Sequence, residues 1–286
     1  VLAPAPDLRG VVERGIVLQQ PRPRSSSRFP AMSRAMLTLG TDECGALVVQ
    51  LHAPGTRPRW FEHAQPFEAL GLVLPATTAA RLLGPSAGVA VDAALPWEAV
   101  AGAAEARRLL DALHADLRSG PDAPALPWRA LRSLMLLQAS LRRVLARGPE
   151  RVRDARALAL QQLGHAVAEQ GVRAAATLGL GERQLERRCR AWLGLGPKQL
   201  QRTTRFSRLL AEAVRQRRLP DADMALAAGY CDQSHLAREA RQLAGAPLRE
   251  VLAGAHADGA WWPLATQPPG SIGASQSSTG ALRHHR

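Results

Sequence analysis

The stretch LGLGERQLERRCRAWLGLGPKQL, residues 178–200, decides the fold. Glycines mark both ends, and four arginines crowd eight positions between them. Leu185, Cys189 and Trp192 recur at i, i+4 and i+7 and share one face of a helix. Arg183, Glu186, Arg187 and Arg190 recur at i, i+3, i+4 and i+7 and share another. One side is fit to pack. The other presents a fork of cations outward.

The stretch has a partner. GLGERQLERRCRAWLG, residues 179–194, aligns with GYCDQSHLAREARQLAG, residues 229–245. Leu185 matches Leu236, Arg187 matches Arg238, Arg190 matches Arg241 and Gly194 matches Gly245, each pair 51 residues apart. The leading glycines, Gly179 and Gly229, are 50 apart, so the second copy has one extra residue in its turn. In that copy Leu236, Ala240 and Leu243 form the apolar face, and Ser234, Arg238 and Arg241 the polar one. A short alanine-rich helix precedes each copy, VRAAATL and DADMALAA. Helix, glycine turn, helix is the helix-turn-helix plan, present twice. From Pro197 to about Arg218 a single helix joins the copies. Some 20 residues at about 1.5 Å each span roughly 30 Å, close to the pitch of a DNA turn at about 34 Å. Such a rod can set two helices into successive major-groove segments, where Arg bridges guanine acceptors and Gln bridges adenine.

Charge agrees. The chain of 286 residues carries a net +13. Residues 151–254 hold 18 basic against 10 acidic side chains, while residues 1–150 hold 17 against 13. A basic balance also follows from the arginine-rich composition, in which Lys198 is the only lysine, so the excess counts for less than its placement. A basic helical stripe alone is most often solvated surface. Two copies in register on a spacer of groove-to-groove length carry the reading.

These residues resemble the tandem helix-turn-helix domain of the AraC/XylS family of bacterial transcription regulators. The match covers roughly residues 153–254 and is clearest in LGLGERQLERR, GLGPKQL and AAGYCDQSHLARE. It implies seven helices, the third and sixth reading the major groove. Carried over by position, Arg183, Glu186 and Arg187 face bases from the first reading helix. Gln233, Ser234, His235 and Arg238 face them from the second. Lys198, Arg202, Arg205 and Arg241 are the phosphate-contact candidates, by charge and position. The chain departs from the family at Cys189 and Ala240, where Phe is usual, and at Ala174 and Asp221, where large aliphatics are common. Gly181 replaces a Ser cap, and Pro247 precedes the place where Leu248 stands. A buried Phe cut to Ala costs about 3–5 kcal/mol unless neighbours fill the space; Trp192, Phe206 and Tyr230 are the candidate fillers.

The first half is expected to be an α+β domain, residues 1–150. Residues 1–35 read as an irregular lead-in, followed by short strands over about 36–95 and helices over about 97–147. RFPAMSRAMLTL and GLVLPATTAARLLGPSAG more faintly resemble the amino-terminal domain of some of these regulators, implying effector sensing or dimerisation. The tail, residues 255–286, is low in periodicity and is expected to be disordered, with a docked Trp261–Trp262 pair as the alternative.

Other motifs are weaker. GPSAG, Gly84 to Gly88, matches the G-x-S-x-G nucleophile elbow, but an elbow needs a strand before and a helix after, and the reverse order is read here. His52 and His63 lack a carboxylate at ligand spacing, so turn or core histidines are favoured over a metal site. Cys189 lies on the packing face and reads as a buried small residue rather than a redox sensor. His235 divides evenly between a base contact and a partner for Asp232. The three cysteines form no C-x-x-C pair, no apolar run spans a membrane, and no leader pattern opens the sequence, so a cytoplasmic protein is expected.

The expectation is an α+β domain followed by an all-α tandem helix-turn-helix domain, mostly helical, acting as a transcription regulator and not an enzyme, with no cofactor or metal. Its partner is double-stranded DNA, with RNA polymerase added if it activates; a small-molecule effector and a homodimer stay open. The rivals are a small serine esterase using Ser86, and a ligand-binding protein whose degenerate helix-turn-helix copies serve protein contacts.

Overall fold

The computed structural model describes residues 2–20, 25–42, 44–63, 67–118, 126–147 and 150–257. Seven strands precede most of the helices: β1 (Arg14–Gln20), β2 (Ser25–Phe29), β3 (Ala35–Thr41), β4 (Leu47–His52), β5 (Arg59–His63), β6 (Phe67–Leu74) and β7 (Ala94–Pro96). An antiparallel five-stranded sheet runs in the order β1-β6-β3-β4-β7, and β2 pairs with β5 in a separate antiparallel ribbon.

The sheet is covered on both faces, and the period of two along its strands sorts the residues. Leu37, Leu39, Val49, Leu51, Leu70, Leu72 and Leu74 face one side, packing with Trp97, Leu109, Leu113, Leu134 and Leu137. Those partners come from α2 (Trp97–Ala101), α3 (Ala103–Arg118) and α4 (Leu126–Leu145). The alternate residues Met36, Ala69 and Val73 join Ile16, Phe29, Met32 and Phe61 beneath the β2–β5 ribbon. On the helical side Trp97 Nε1–H donates to Ser140 Oγ at 3.0 Å, and Ser140 donates to the buried Glu105 at 2.7 Å, which pins three helices together.

One expectation fails. Residues 1–35 are not an irregular lead-in, and the strands do not begin near 36. GIVLQQ lies within β1, paired along its length with β6, and the serine run starts β2. The apolar stretch of β1 is short and the strand lies at the sheet edge, paired along its length with β6 and bridged on the other side only by Leu2 at Gly15, so its sequence alternates weakly. VAVDAAL, residues 89–95, the stretch after GPSAG that the reverse order makes a strand, is mostly turn; only β7 at its end and just beyond is strand. GPSAG forms a 3-10 turn after α1 (Ala76–Leu83). A helix therefore precedes Ser86, the reverse of the elbow order.

From residue 150 the described chain is helical: α5 (Glu150–Gln170), α6 (Ala174–Thr177), α7 (Glu182–Leu193), α8 (Pro197–Gln216), α9 (Ala222–Ala227), α10 (Gln233–Ala244) and α11 (Leu248–Ala257). Two further cores form here. Leu160, Leu163, Val167, Leu185, Cys189 and Leu200 pack together, joined by Ala80 of α1. Phe206, Leu210, Tyr230, Leu236, Ala240, Leu243 and Val251 form the other, joined by Ala31. Each helical core thus takes in an alanine from the first half of the chain. Trp261 and Trp262, and the tail beyond Ala257, lie outside the described residues. No helix among the described residues is long and apolar enough to cross a membrane.

Candidate nucleic-acid interface

The two repeated units fold alike. In the first, α6 leads through four residues into α7; in the second, α9 leads through five into α10. The extra residue of the second turn is where the alignment puts it. Gly179 and Gly229 both take left-handed backbone, φ +63° and +83°, which a Cβ disfavours. Asp232 caps α10, its carboxylate accepting the His235 backbone N–H at 2.6 Å. Gly181 begins α7 with no side chain to offer, and Gln184 Oε1 instead accepts its N–H at 3.3 Å. Asp221, at a position expected to be aliphatic, caps α9 by accepting the Met224 N–H at 2.9 Å. The Asp232→Ala variant leaves the α10 donor unpaired, and thermal denaturation should register a loss of about 1 kcal/mol.

Except at Trp192, the apolar faces are buried as the helical period requires. Leu185 and Cys189 are fully enclosed in the first unit, Leu236, Ala240 and Leu243 in the second. Burial, with Glu186 nearby, pushes the Cys189 thiol up to about 12. The side chain is a neutral packing group, unsuited to redox sensing. Phe206 and Tyr230 lie inside the core that holds Ala240. Trp192 does not fill space there: it is 38% exposed, under the Arg188 guanidinium 5.9 Å from its ring centre.

The base-facing candidates lie in the first two turns of their helices. Arg183 and Arg187 are exposed on α7, and Gln233, Ser234 and Arg238 on α10. Arg183, Arg187, Arg238, Arg241 and Lys198 have no ion-pair partner among the described residues, so their charge is free for an outside anion. Glu186 is half-buried and bound to Arg190 at 2.7 Å. The His235 ring meets Tyr230 edge-on at 5.2 Å, while Asp232 takes only the backbone N–H.

Arg202 and Arg205 are placed otherwise than charge suggests. Arg202 donates to Glu239 at 2.6 Å and to Gln242 at 2.8 Å. Arg205 pairs with Glu239 at 3.1 Å, donates to the Gly229 carbonyl at 3.0 Å and lies 4.3 Å from the Tyr230 ring centre. Glu239 itself is 4% exposed. Burial raises its carboxyl, and Arg202 and Arg205 more than offset that, holding it below the usual carboxylate range. Both arginines therefore brace α8 against α10 and the turn before it. Sequence reasoning missed Glu239, although a signal existed: it stands three residues after Leu236 and four before Leu243, within the apolar face.

The ends of α7 and α10 touch the first half of the chain. Gly194 ends α7 and Gly245 ends α10, both left-handed, φ +78° and +72°. A Cβ on Gly194 would fall 2.6 Å from the Ala87 carbonyl oxygen and 2.7 Å from Val91 Cγ2. One on Gly245 would fall 2.5 Å from Trp60 Cζ2 and 3.2 Å from Pro58 Cγ. Ala31 N–H donates to the Leu243 carbonyl at 2.6 Å. An open cleft lies between these contacts, walled by Arg57, Val91, Arg190, Lys198 and Gln242.

Two glycine-turned helix pairs on one continuous rod, each presenting exposed arginines from its second helix, define a tandem helix-turn-helix protein. Residues 174–254 match the family model of a helix-turn-helix domain, and that segment is a helix-turn-helix domain of the AraC type. No curated protein matches the chain. Among solved structures, ToxT from Vibrio cholerae O395 aligns at 10% identity over 84% of this chain and 96% of that one, TM-score 0.44. Unsaturated fatty acid bound wild-type ToxT from Vibrio cholerae strain SCE256 aligns at 11% over 83% and 94%, TM-score 0.43. These are distant likenesses, too weak to transfer a ligand or a residue role.

Proposed function

We propose that the protein is a sequence-specific DNA-binding transcription regulator that reads two successive major-groove segments, one with α7 and one with α10. The observation that carries it is the repetition: two helices of equal length, each ended by a left-handed glycine, with a 20-residue helix between them and the unpaired Arg187 and Arg238 at matching positions 51 residues apart. Arg183, Arg187, Gln233, Ser234 and Arg238 are the base readers, with Glu186 and His235 at the edges of that surface. Lys198 and Arg241 meet phosphate; Arg202 and Arg205 act from beneath it, through Glu239. Residues 1–150 form a regulatory unit and residues 151–254 the reading unit.

Replacing Arg187 or Arg238 by Ala should reduce specific binding by about 1–3 kcal/mol and relax preference at one position of the site. A gel-shift titration on duplexes selected from a random pool checks this. An unchanged ratio of specific to random binding would remove that residue as a reader. Affinity should also drop steeply as salt rises, because released counterions drive the association; a salt-independent affinity would favour helix-turn-helix units used for protein contact.

A further inference from the structure

We infer that the first half of the chain is a caliper: it grips the far ends of both reading helices and thereby sets the spacing between the two DNA half-sites. The inference rests on the two-helix reading proposed above.

The grip is made twice in the same way. Gly194 and Gly245 hold equivalent places in the repeat, and an added Cβ would collide at each, with the Ala87 backbone at Gly194 and with the outer edge of the half-exposed Trp60 ring at Gly245. Ala87 and Val91 cover the first; Pro58 and Trp60 cover the second. One last-turn carbonyl is hydrogen-bonded and another is closely approached. The Leu243 carbonyl, which has no partner within its own helix, accepts the Ala31 N–H, and a Cβ on Gly88 would fall 3.1 Å from the Arg190 carbonyl oxygen. Below the surface, Ala80 enters the first helical core and Ala31 the second.

The gripping segments are tied to one another. Met32 and Gly55 exchange two backbone hydrogen bonds, at 3.0 and 2.8 Å. Asp92 accepts from the Thr56 N–H at 2.7 Å and from its hydroxyl at 2.6 Å, and donates its own N–H to the Pro54 carbonyl at 3.0 Å. Residues near 31, 55–60 and 87–92 thus form one bracket that reaches both reading units. α8 packs into both helical cores and is braced to α10 through Glu239, so each unit is already seated on the rod. The bracket gives each unit a second point of attachment, which stiffens it against rolling about the first. The attachments are at the helix C-termini, and the base-facing residues are near the N-termini, so the grip leaves the reading ends open.

Spacing is the property this controls. Adding one base pair between half-sites moves the second by about 3.4 Å and turns it by about 35°. A body held at both ends resists that change, and a body joined by the rod alone follows it. Two variants loosen the bracket without touching a base-facing residue. Trp60→Ala removes the cover from Gly245; Trp60 is half exposed, so the core is spared. Asp92→Gly removes both side-chain bonds to Thr56, weakens the tie between the gripping segments while keeping the backbone bond to Pro54, and suits the left-handed backbone there, φ +64°.

The test uses the full chain and a duplex selected from a random pool, then re-synthesised with one, two or three base pairs inserted between half-sites. The unaltered protein should lose about tenfold in affinity on a single insertion. Both variants should lose no more than about twofold, while binding a duplex with one half-site as the unaltered protein does. If the double variant Trp60→Ala, Asp92→Gly retains the full tenfold penalty, the caliper is wrong. If the unaltered protein selects no paired half-sites at all, the two-helix reading itself falls, which is a different result.

Discussion

Glu239→Ala should lower the stability of the protein by about 3 kcal/mol, seen as a depressed midpoint in urea or heat. The carboxylate is almost wholly buried, and two guanidiniums, themselves about three-quarters buried, close on it from α8. Removing one partner of a buried set strands the others, at a cost of about 3–5 kcal/mol. The low end applies here because Arg202 keeps Gln242, and Arg205 keeps the Gly229 carbonyl and the face of Tyr230. Glu239→Gln preserves shape and one acceptor, and should recover part of the loss. The same variants should weaken DNA binding beyond what stability explains, since α10 loses its brace to α8. A Glu239→Ala protein as stable as the parent would mean that the ion pairs contribute nothing net. Matched single and double replacements with Arg202→Ala then measure the coupling directly.

The reading half of the molecule was legible because its signals are local. Apolar period, turn glycines and the 51-residue offset all lie within short windows, and the structure sets helices on them. Asp232 could be seen as a cap because its donor is three residues on. What was hidden is non-local. Arg202 and Arg205 looked free because their counter-ion is 37 and 34 residues away, on another helix. Pro58, Trp60, Ala87 and Val91 show no period that marks them as a grip, and only the folded chain brings them to Gly194 and Gly245. Strand β1 escaped for a related reason. At a sheet edge, a short apolar run needs its partner strand to be recognised, and β6 lies about 50 residues downstream.

The first half should show its own pH dependence, through His52. This histidine ends β4 between the sheet and the β2–β5 ribbon, its ring stacked toward Phe29 and edge-on to Phe61. Nε2 lies 3.1 Å from Thr38 Oγ1, and Thr38 Oγ1 is also 3.4 Å from the Gln50 carbonyl, to which it donates. The histidine therefore supplies the hydrogen at Nε2, and the buried Nδ1 is left as a bare lone pair with no donor. Protonating it places a cation among aromatic rings. Burial pushes the imidazole down to about 4, and the Arg59 guanidinium adds to that. An unfolded histidine binds its proton near 6.5, so between these values the unfolded chain holds more protons than the folded one. Stability is then full above about 6.5 and declines as pH falls toward 4. The expected decline is about 2 kcal/mol between pH 8 and pH 5 and about 3 kcal/mol in all. Carboxylates such as Glu239 act lower, so the interval above pH 5 belongs to His52. His52→Gln keeps a donor for Thr38 and removes the titration; its urea midpoint should lie nearly flat from pH 8 to 5. A parent protein equally flat over that interval would show that the buried ring is already charged, or that its surroundings admit water.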